Sequence, residues 1–218
     1  MHIEILVEDF SGKCALDILV PTVLGDQHTF RVHPYKGIGR IPKNMRDSAD
    51  ASKRILLTNL PKLLKGYGRT FQGYPPGYRA AVVVVCDLDD KNPATFLEEL
   101  QNILKSCNPK PNARFCLAIE EGEAWFLGDL AAVRAAYPDA KDDVLEAYVN
   151  DTICGTWEVL ADAVYPGGTR ALSRKGWQAV GAEKVRWAER ICPQMNVENN
   201  ASPSFSKFRQ SVRSLSTD

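Results

Sequence analysis

The sequence predicts an α/β fold: a mostly parallel sheet with helices on both faces, followed by a small helical C-terminal part. Short apolar runs alternate along the chain with segments of helical periodicity, the pattern of a parallel sheet with crossover helices. One run, 80–86, is continuous and largely β-branched, which is typical of a strand covered on both faces. With 218 residues, 44% of them hydrophobic, the chain can build a core without disulfides or metal.

The strands are predicted from apolar runs of four to seven residues. They are expected at 2–7, 30–33, 81–86 and 113–119. The helices are predicted from apolar residues recurring every three or four positions. They are expected at 11–21, 48–65, 93–107, 124–137, 183–192 and 204–215.

Several of these boundaries depend on single residues. Ser11 is the expected N-cap of the first helix, and Pro21 is expected to end it. Pro61 is a possible break in the second helix. Residues 66–78, rich in Gly, Pro and Tyr, are expected to form a loop. We divide the chain into an α/β domain at 1–150, with a basic insert at about 31–79, and a helical extension at 151–218 packed on it.

Composition excludes several classes of protein. The net charge is zero, which excludes a wholly basic nucleic-acid coat protein, and no run approaches the ~20 apolar residues of a membrane span. The first ten residues carry acids and no Lys or Arg, unlike a secretion signal. The six cysteines form no CxxC pair, which argues against a zinc ribbon. We therefore expect a cytoplasmic protein with reduced thiols and no membrane partner.

Charge is unevenly distributed along the chain. Residues 31–79 hold eleven Lys or Arg against two acids, residues 87–146 hold thirteen acids against six bases, and residues 165–190 hold six bases against two acids. A polyanion site beside a carboxylate cluster is one interpretation, and chance clustering on a solvated surface is the other. Tyrosines interleaved with the first basic stretch fit single-strand binding or ordinary loop packing equally well.

Acidic clusters follow three of the predicted strands. Glu8 and Asp9 follow the first, Asp87, Asp89 and Asp90 follow the run 80–86, and a third cluster with the sequence EEGE spans 120–123. Ligands of an open parallel sheet bind beyond the carboxyl ends of its strands. Carboxylates gathered there repel one another, and a divalent cation such as Mg²⁺ relieves that repulsion. The sequence therefore predicts a metal site at this edge.

Spacing indicates which acids share the ion. Residues two apart on a strand point the same way, so Asp87 and Asp89 are expected to face one ion while Asp90 faces elsewhere. Glu123 is either a ligand or a first-turn acid that favours the helix dipole. By the same alternation, Glu121 rather than Glu120 is expected to accompany Glu123, although a turn at Gly122 would break that alternation.

These segments resemble a known family. ILVEDFSGKCAL, VVVVCDLDD and EEGEAW are similar to the signature set of the TOPRIM domain of topoisomerases, primases and overcoming-lysogenization-defect nucleases. In that family a Glu after the first strand and a later DxD hold divalent metal, and Glu8, Asp87 and Asp89 match those positions. The chain, with its tail NASPSF, also resembles stand-alone bacterial TOPRIM-like proteins of unknown function, suspected of phage defence beside an ATPase. Asp9 stands where the family commonly has Gly, and the basic insert is a second departure.

The resemblance implies a metal-dependent nuclease of DNA or RNA, and we expect two Mg²⁺ or Mn²⁺ ions about 4 Å apart. Related nucleases use a Lys after the acidic motifs, which favours Lys184 or Lys175. The predicted catalytic residues are Glu8, Asp87, Asp89, Glu123 and Lys184. The predicted metal ligands are Glu8, Asp87, Asp89, Glu121 and Glu123. The predicted nucleic-acid contacts are Lys36, Arg40, Lys62, Lys65, Arg69 and Arg79.

Two other functions stay open. The chain is alternatively a non-catalytic, metal-binding regulatory or partner-binding subunit, or a nucleotide phosphohydrolase. No GxxxxGK[ST] motif occurs, so a P-loop ATPase activity would come from a partner chain. A homodimer is a further possibility.

Overall fold

The computed structural model describes residues 1–42 and 54–217, and it confirms the predicted fold class. Four strands form one all-parallel sheet in the order β2-β1-β3-β4. The strands are β1 at His2–Val7, β2 at Thr29–Pro34, β3 at Ala80–Asp87 and β4 at Ala113–Ala118. The predicted helix at 48–65 begins outside the described residues.

Ten α-helices surround the sheet in the described part of the chain. They are α1 Phe10–Leu24, α2 Leu56–Gln72, α3 Pro93–Lys105, α4 Glu123–Leu127, α5 Leu130–Ala136, α6 Asp142–Glu146, α7 Thr156–Val164, α8 Gly168–Ser173, α9 Trp177–Ile191 and α10 Pro203–Thr217. Alternate residues of the strands enter two cores. One core packs under α2 and α3, and the other lies with α1, α9 and α10. Both faces of the sheet are therefore covered, which explains the continuous apolar run in β3.

The first helix corrects two predictions. It continues through Pro21 to Leu24, because Val20 and Val23 on either side of the proline are buried in the core and their packing outweighs the lost backbone hydrogen bond. Its N-cap is Asp9 rather than Ser11: Asp9 Oδ1 accepts from the Gly12 amide at 2.7 Å. Ser11 supports the cap instead, donating its hydroxyl to Asp9 Oδ2 at 2.5 Å.

The predicted loop at 66–78 is wrong over its first half, because α2 runs on to Gln72 without a break at Pro61. Tyr67 and Phe71 pack against the core, and that burial outweighs the poor helix propensity of Gly66 and Gly68. Gly68 is also needed for space, since a Cβ there would lie 2.1 Å from the carbonyl oxygen of Pro109.

Two further helices differ from expectation. The segment predicted as one helix at 124–137 is divided into α4 and α5, because Asp129 caps a new helix by accepting from the Ala132 amide at 3.0 Å. Helix α9 begins six residues before its predicted start, directly after Gly176, whose φ of +86° suits glycine.

The C-terminal segment is joined to the sheet through buried hydrogen bonds. The Asn200 amide donates to the Trp125 carbonyl at 2.8 Å, and Trp125 Nε1 donates to Ser204 Oγ at 3.0 Å. Asp151 accepts from the Ser202 hydroxyl at 2.7 Å and the Ser204 amide at 2.6 Å. The segments EEGEAW and NASPSF therefore bind each other, and they hold the turn after β4 in place.

Within 1–42 and 54–217, no helix combines the length and the apolar character that crossing a bilayer requires.

The extension of α2 gives a matched pair of substitutions. Gly68→Ala should lower the free energy of unfolding by about 1–3 kcal/mol, because the new methyl meets a backbone carbonyl. Gly66→Ala should raise it by roughly 0.5–1 kcal/mol, because its new methyl would meet no neighbouring side chain or strand within 4 Å and alanine favours the helix. Urea denaturation followed by circular dichroism measures both. Equal effects from the two variants would contradict the packing described for α2.

Candidate active site at the carboxyl ends of the strands

Parallel register brings the acidic clusters to one edge of the sheet. Val7 at the end of β1 pairs with Val85, and Asp87 at the end of β3 pairs with Ala118 at the end of β4. Glu8, Asp87 and Glu123, with Lys184 from α9, line a cavity of about 40 Å³. That volume exceeds the roughly 10–15 Å³ that one water needs. The edge therefore carries a small cavity that is largely apolar but bears these charged groups, which we call the acidic site.

Glu8 and Asp87 form a carboxyl pair in this site. The Glu8 and Asp87 side chains are hydrogen-bonded to each other. Burial, followed by the charges of Asp9 and Asp89, raises the pKa of Glu8 to about 7. Burial and the neighbouring Glu8 raise the pKa of Asp87 well above its usual range. The pair therefore retains a proton near neutral pH when no cation is bound.

Lys184 neutralises the other side of the site. Its Nζ lies 3.1 Å from Glu121 Oε1 and 3.2 Å from Glu123 Oε2. Burial opposes the charge of Lys184, but the surrounding carboxylates, Glu123 first, outweigh burial and raise its pKa. Burial also raises the pKa of Glu121 to about 7, although the Lys184 charge works against that rise. Lys184 is therefore a fixed positive charge beside the carboxyl pair.

Glu120 has a different task. Its carboxylate accepts from the backbone amides of Cys154, Gly155 and Thr156 at 3.2, 2.7 and 2.8 Å. These amides lie at the beginning of α7, where a negative charge is favourable. Within EEGE, Glu121 and Glu123 thus face Lys184 while Glu120 holds α7.

Asp89 lies apart from this arrangement. β3 ends at Asp87, and Asp89 follows in a turn with φ of +50°, so the alternation of strand side chains does not extend to it. Its Oδ2 is paired with Lys91 Nζ at 2.5 Å, and 47% of its side chain is exposed. The expected shared orientation of Asp87 and Asp89 is therefore wrong. Asp89 still acts on Glu8 through its charge.

The chemistry of the donors fits a divalent cation with few protein ligands. Among the described residues, no three His, Cys, Asp or Glu side chains converge as a complete metal site. Three buried carboxylate oxygens nevertheless have no hydrogen-bond partner in that part of the chain: Glu8 Oε2, Glu121 Oε2 and Glu158 Oε2. Mg²⁺ commonly takes one or two carboxylates and keeps its waters. Glu8 and Asp87 suit that role, whereas Glu121 and Glu123 are already paired with Lys184.

The predicted nucleic-acid contacts do not form one patch. Lys36 lies at the acidic edge, because the amide of Gly37 beside it donates to the Glu8 carbonyl at 2.8 Å. Arg40 lies near the start of α2, where Thr58 donates to its carbonyl. Both side chains are exposed. Arg79 precedes β3 at the other end of the sheet, about 25 Å from Asp87 by strand rise, and donates to the Leu215 carbonyl.

The remaining three predicted contacts, Lys62, Lys65 and Arg69, follow one another along α2 away from the acidic edge. Lys62 borders a groove of about 380 Å³ that is also lined by Tyr35, Arg54 and Tyr67. Lys43, Arg46 and Lys53 of the basic stretch lie outside the described residues. The basic stretch therefore extends from the acidic edge down the side of the sheet.

Gly12 is a residue of the acidic site that sequence reasoning missed. It lines the cavity, and a Cβ there would lie 2.6 Å from Val7 Cγ2 and 3.1 Å from Asp9 Oδ1. Glycine lets α1 approach β1 closely enough for its first turn to face Glu8. A glycine four residues after a strand-final Glu was the available signal, but spacing alone does not show this approach.

The raised pKa of Glu8 predicts how stability depends on pH in the absence of metal. The folded state holds the proton more tightly than the unfolded state, so the unfolding free energy should fall as pH rises from 4.5 to about 7. Such a shift corresponds to roughly 3 kcal/mol at most. When the pH rises from 5.5 to 8, the unfolding free energy of Glu8→Gln should fall by on the order of 2 kcal/mol less than that of wild type. Urea denaturation with a chelator present measures both.

Glu98→Gln is the control for that experiment, because it makes the same chemical change at an exposed position of α3. It should keep the wild-type pH dependence. An identical pH dependence in wild type and Glu8→Gln would show that Glu8 ionises normally in the folded protein.

Comparison with known proteins leaves the family open. No family model, no curated protein and no solved structure matches the chain. The resemblance to TOPRIM proteins therefore stays a prediction, and the geometry of the acidic site carries the functional argument.

Proposed function

We propose that this protein is a Mg²⁺- or Mn²⁺-dependent phosphodiesterase that cleaves DNA or RNA. One observation carries the proposal: the Glu8–Asp87 carboxyl pair, with an unpartnered buried oxygen on Glu8, stands beside the charged Lys184 at the ligand-binding edge of a parallel sheet. A carboxyl pair held by burial in a partly protonated state is costly to ionise. Exchange of its proton for a divalent cation removes that cost.

Glu8 and Asp87 are the residues that would hold the ion. A bound Mg²⁺ or Mn²⁺ would supply Lewis acidity towards a phosphate oxygen and a lowered pKa for bound water. The carboxyl pair gives up its proton on binding, so affinity for the ion should increase as pH rises through about 7. Glu121 adds a second unpartnered oxygen near Lys184. We propose that Glu121 and Glu123 chiefly hold the Lys184 ammonium in position.

Lys184 suits the stabilisation of negative charge on a phosphate. Its raised pKa keeps it protonated, and only 14% of its side chain is exposed. A fixed cation in a partly buried site stabilises developing charge without reorganisation of solvent. Lys175, the other candidate, instead donates to the Tyr165 hydroxyl at 2.7 Å and lies over that ring.

The charges beside the acidic site support a polynucleotide substrate. Lys36 and Arg40 are exposed at its edge, and Lys62 extends the basic surface along α2. Contacts of this kind hold a phosphate backbone without reading its sequence.

The proposal includes an ATPase partner chain in phage defence, which rests on the resemblance alone. It also includes a reducing cytoplasmic setting, which six free thiols suit.

Metal binding is the first test. Calorimetric titration with Mn²⁺ at pH 8 should show saturable binding by wild type, and Asp87→Asn should weaken it at least ten-fold because it removes one of two carboxylates. Asp90→Asn is the matched control, since it makes the same change on an exposed neighbour. Equal affinities for wild type and Asp87→Asn would remove the carboxyl pair from any metal site.

Turnover is the second test. Wild type should cleave labelled single-stranded or duplex DNA or RNA only with Mg²⁺ or Mn²⁺, and Glu8→Gln should lower the rate at least a hundred-fold while the melting temperature does not fall. Lys184→Met should lower the rate as strongly at unchanged Mn²⁺ affinity. A nucleoside triphosphate belongs in the substrate panel, because hydrolysis of that compound alone would favour a nucleotide phosphohydrolase. Metal binding without any turnover would favour a regulatory subunit.

A further inference from the structure

The most exposed large apolar side chain among the described residues is Trp177, at the first position of α9. It is 82% exposed, whereas Trp125, Trp157 and Trp187 are buried. A single exposed apolar residue needs no explanation by itself, so the surroundings of Trp177 decide whether it is part of a binding surface. The position of Trp177 relative to the acidic site indicates what it binds.

Trp177 and Lys184 lie on the same stripe of α9. They are seven residues apart, which is close to two helical turns and about 10 Å along the axis. Lys184 reaches into the acidic site, so Trp177 stands about two turns away from that site on the same helix side. At roughly 3.4 Å or more per nucleotide, about two or three nucleotides of a flexible strand span this distance.

A second contact fixes Trp177 near the carboxyl end of β4. Its ring centroid lies 6.4 Å from that of Trp157, at an interplanar angle of 59°. Trp157 directly follows Thr156, whose amide donates to Glu120 after β4. The exposed indole of Trp177 is thus in contact with the buried ring of Trp157. The start of α7, which carries Trp157, is bound to Glu120 in the turn that also contains the acids of the site.

The charges beside Trp177 suit a polyanion. Arg170 lies in α8 and Arg174 is the C-cap of that helix, and both are exposed in the segment that precedes Trp177. Neither guanidinium has a hydrogen bond or an ion pair within the described part of the chain. Lys175 between them and Trp177 is already bound to Tyr165. Two unpaired arginines and an exposed indole are the components of a stacking surface for single strands.

We propose that Arg170, Arg174 and Trp177 form a platform that binds single-stranded polynucleotide, with one base stacked on Trp177 and the phosphates held by the two arginines. The platform gives the proposed nuclease a preference for single strands or frayed ends, so it rests on that function for its context. Its binding needs no metal, and it can therefore be tested separately.

The test is fluorescence anisotropy of a labelled oligothymidylate of twelve nucleotides in a chelating buffer. Trp177→Ala should weaken binding about ten-fold, the loss expected for one stacked base. Trp177→Phe should retain most of the affinity, because it keeps an aromatic face. Tyr78→Ala is the control: Tyr78 is also an exposed aromatic residue, 52% exposed, but it lies at the opposite end of the sheet. It should bind as wild type does.

Salt dependence tests the arginines. Replacement of Arg170 and Arg174 by Ala should reduce the log–log slope of affinity against salt by about 1.4, close to 0.7 for each lost phosphate contact. Lys207→Ala removes an exposed charge from α10 and should leave the slope unchanged. Tryptophan emission gives an independent readout, since Trp177 is the accessible indole and its emission should be quenched by the oligonucleotide.

The outcomes separate the platform from the proposed nuclease. Wild-type affinity in Trp177→Ala overturns the platform even if the protein cleaves nucleic acid. Weakened binding in that variant supports the platform even if wild type hydrolyses nothing. Absence of oligonucleotide binding by wild type overturns it. A dimer that becomes a monomer on Trp177→Ala, with oligonucleotide affinity unchanged, would assign the surface to self-association and also overturn it.

Discussion

The gathering of carboxylates at one sheet edge is the constraint on which the rest of the structure depends. Parallel register places Glu8 and Asp87 side by side, and the turn after β4 adds Glu121 and Glu123. Burial makes this concentration of charge expensive. Two features reduce this cost. The carboxyl pair retains a proton, and the ammonium group of Lys184, 63 residues after Glu121 in the sequence, pairs with the acids of the turn.

This requirement explains why the C-terminal helices pack on the sheet rather than form a separate unit. Lys184 can neutralise the site only if α9 is held against α1 and the turn after β4. Asn200 and Ser204 hold that turn through Trp125, and Asp151 holds the start of α10. Removal of these helices would leave two buried carboxylates without their cation. The charge balance of the proposed catalytic edge therefore depends on the packing of the C-terminal helices.

The two sides of the acidic edge carry different kinds of binding group. On the β2 side, Lys36 follows the acidic edge and Arg40 lies near the start of α2, and both are exposed point charges. On the α9 side, the platform combines an indole face with two guanidinium groups. The first kind attracts any polyanion, whereas the second requires an unstacked base.

Local patterns in the sequence predicted the secondary structure. Continuous apolar runs of strand length, and helical spacing with a period of 3.6, were sufficient for the four strands, the parallel sheet and the acids at its carboxyl edge. They failed where packing competes with propensity. Residues 66–72 are helical because the core covers Tyr67 and Phe71, and α1 passes through Pro21 because Val20 and Val23 are buried.

Only the tertiary structure decided which charges meet. Asp89 is only two residues from Asp87 in the sequence. Its left-handed backbone conformation takes it out of the strand, and its carboxylate pairs with Lys91 instead. Arg79 belonged to the basic stretch by sequence, yet it lies at the far end of β3. Lys184 was one of two candidate lysines, and the docking of α9 brought it to the acids. The exposed face of Trp177 had no signal at all in the sequence. The reason is the same in these cases. Contacts between elements many residues apart depend on how the helices pack, and local sequence periodicity does not predict that packing.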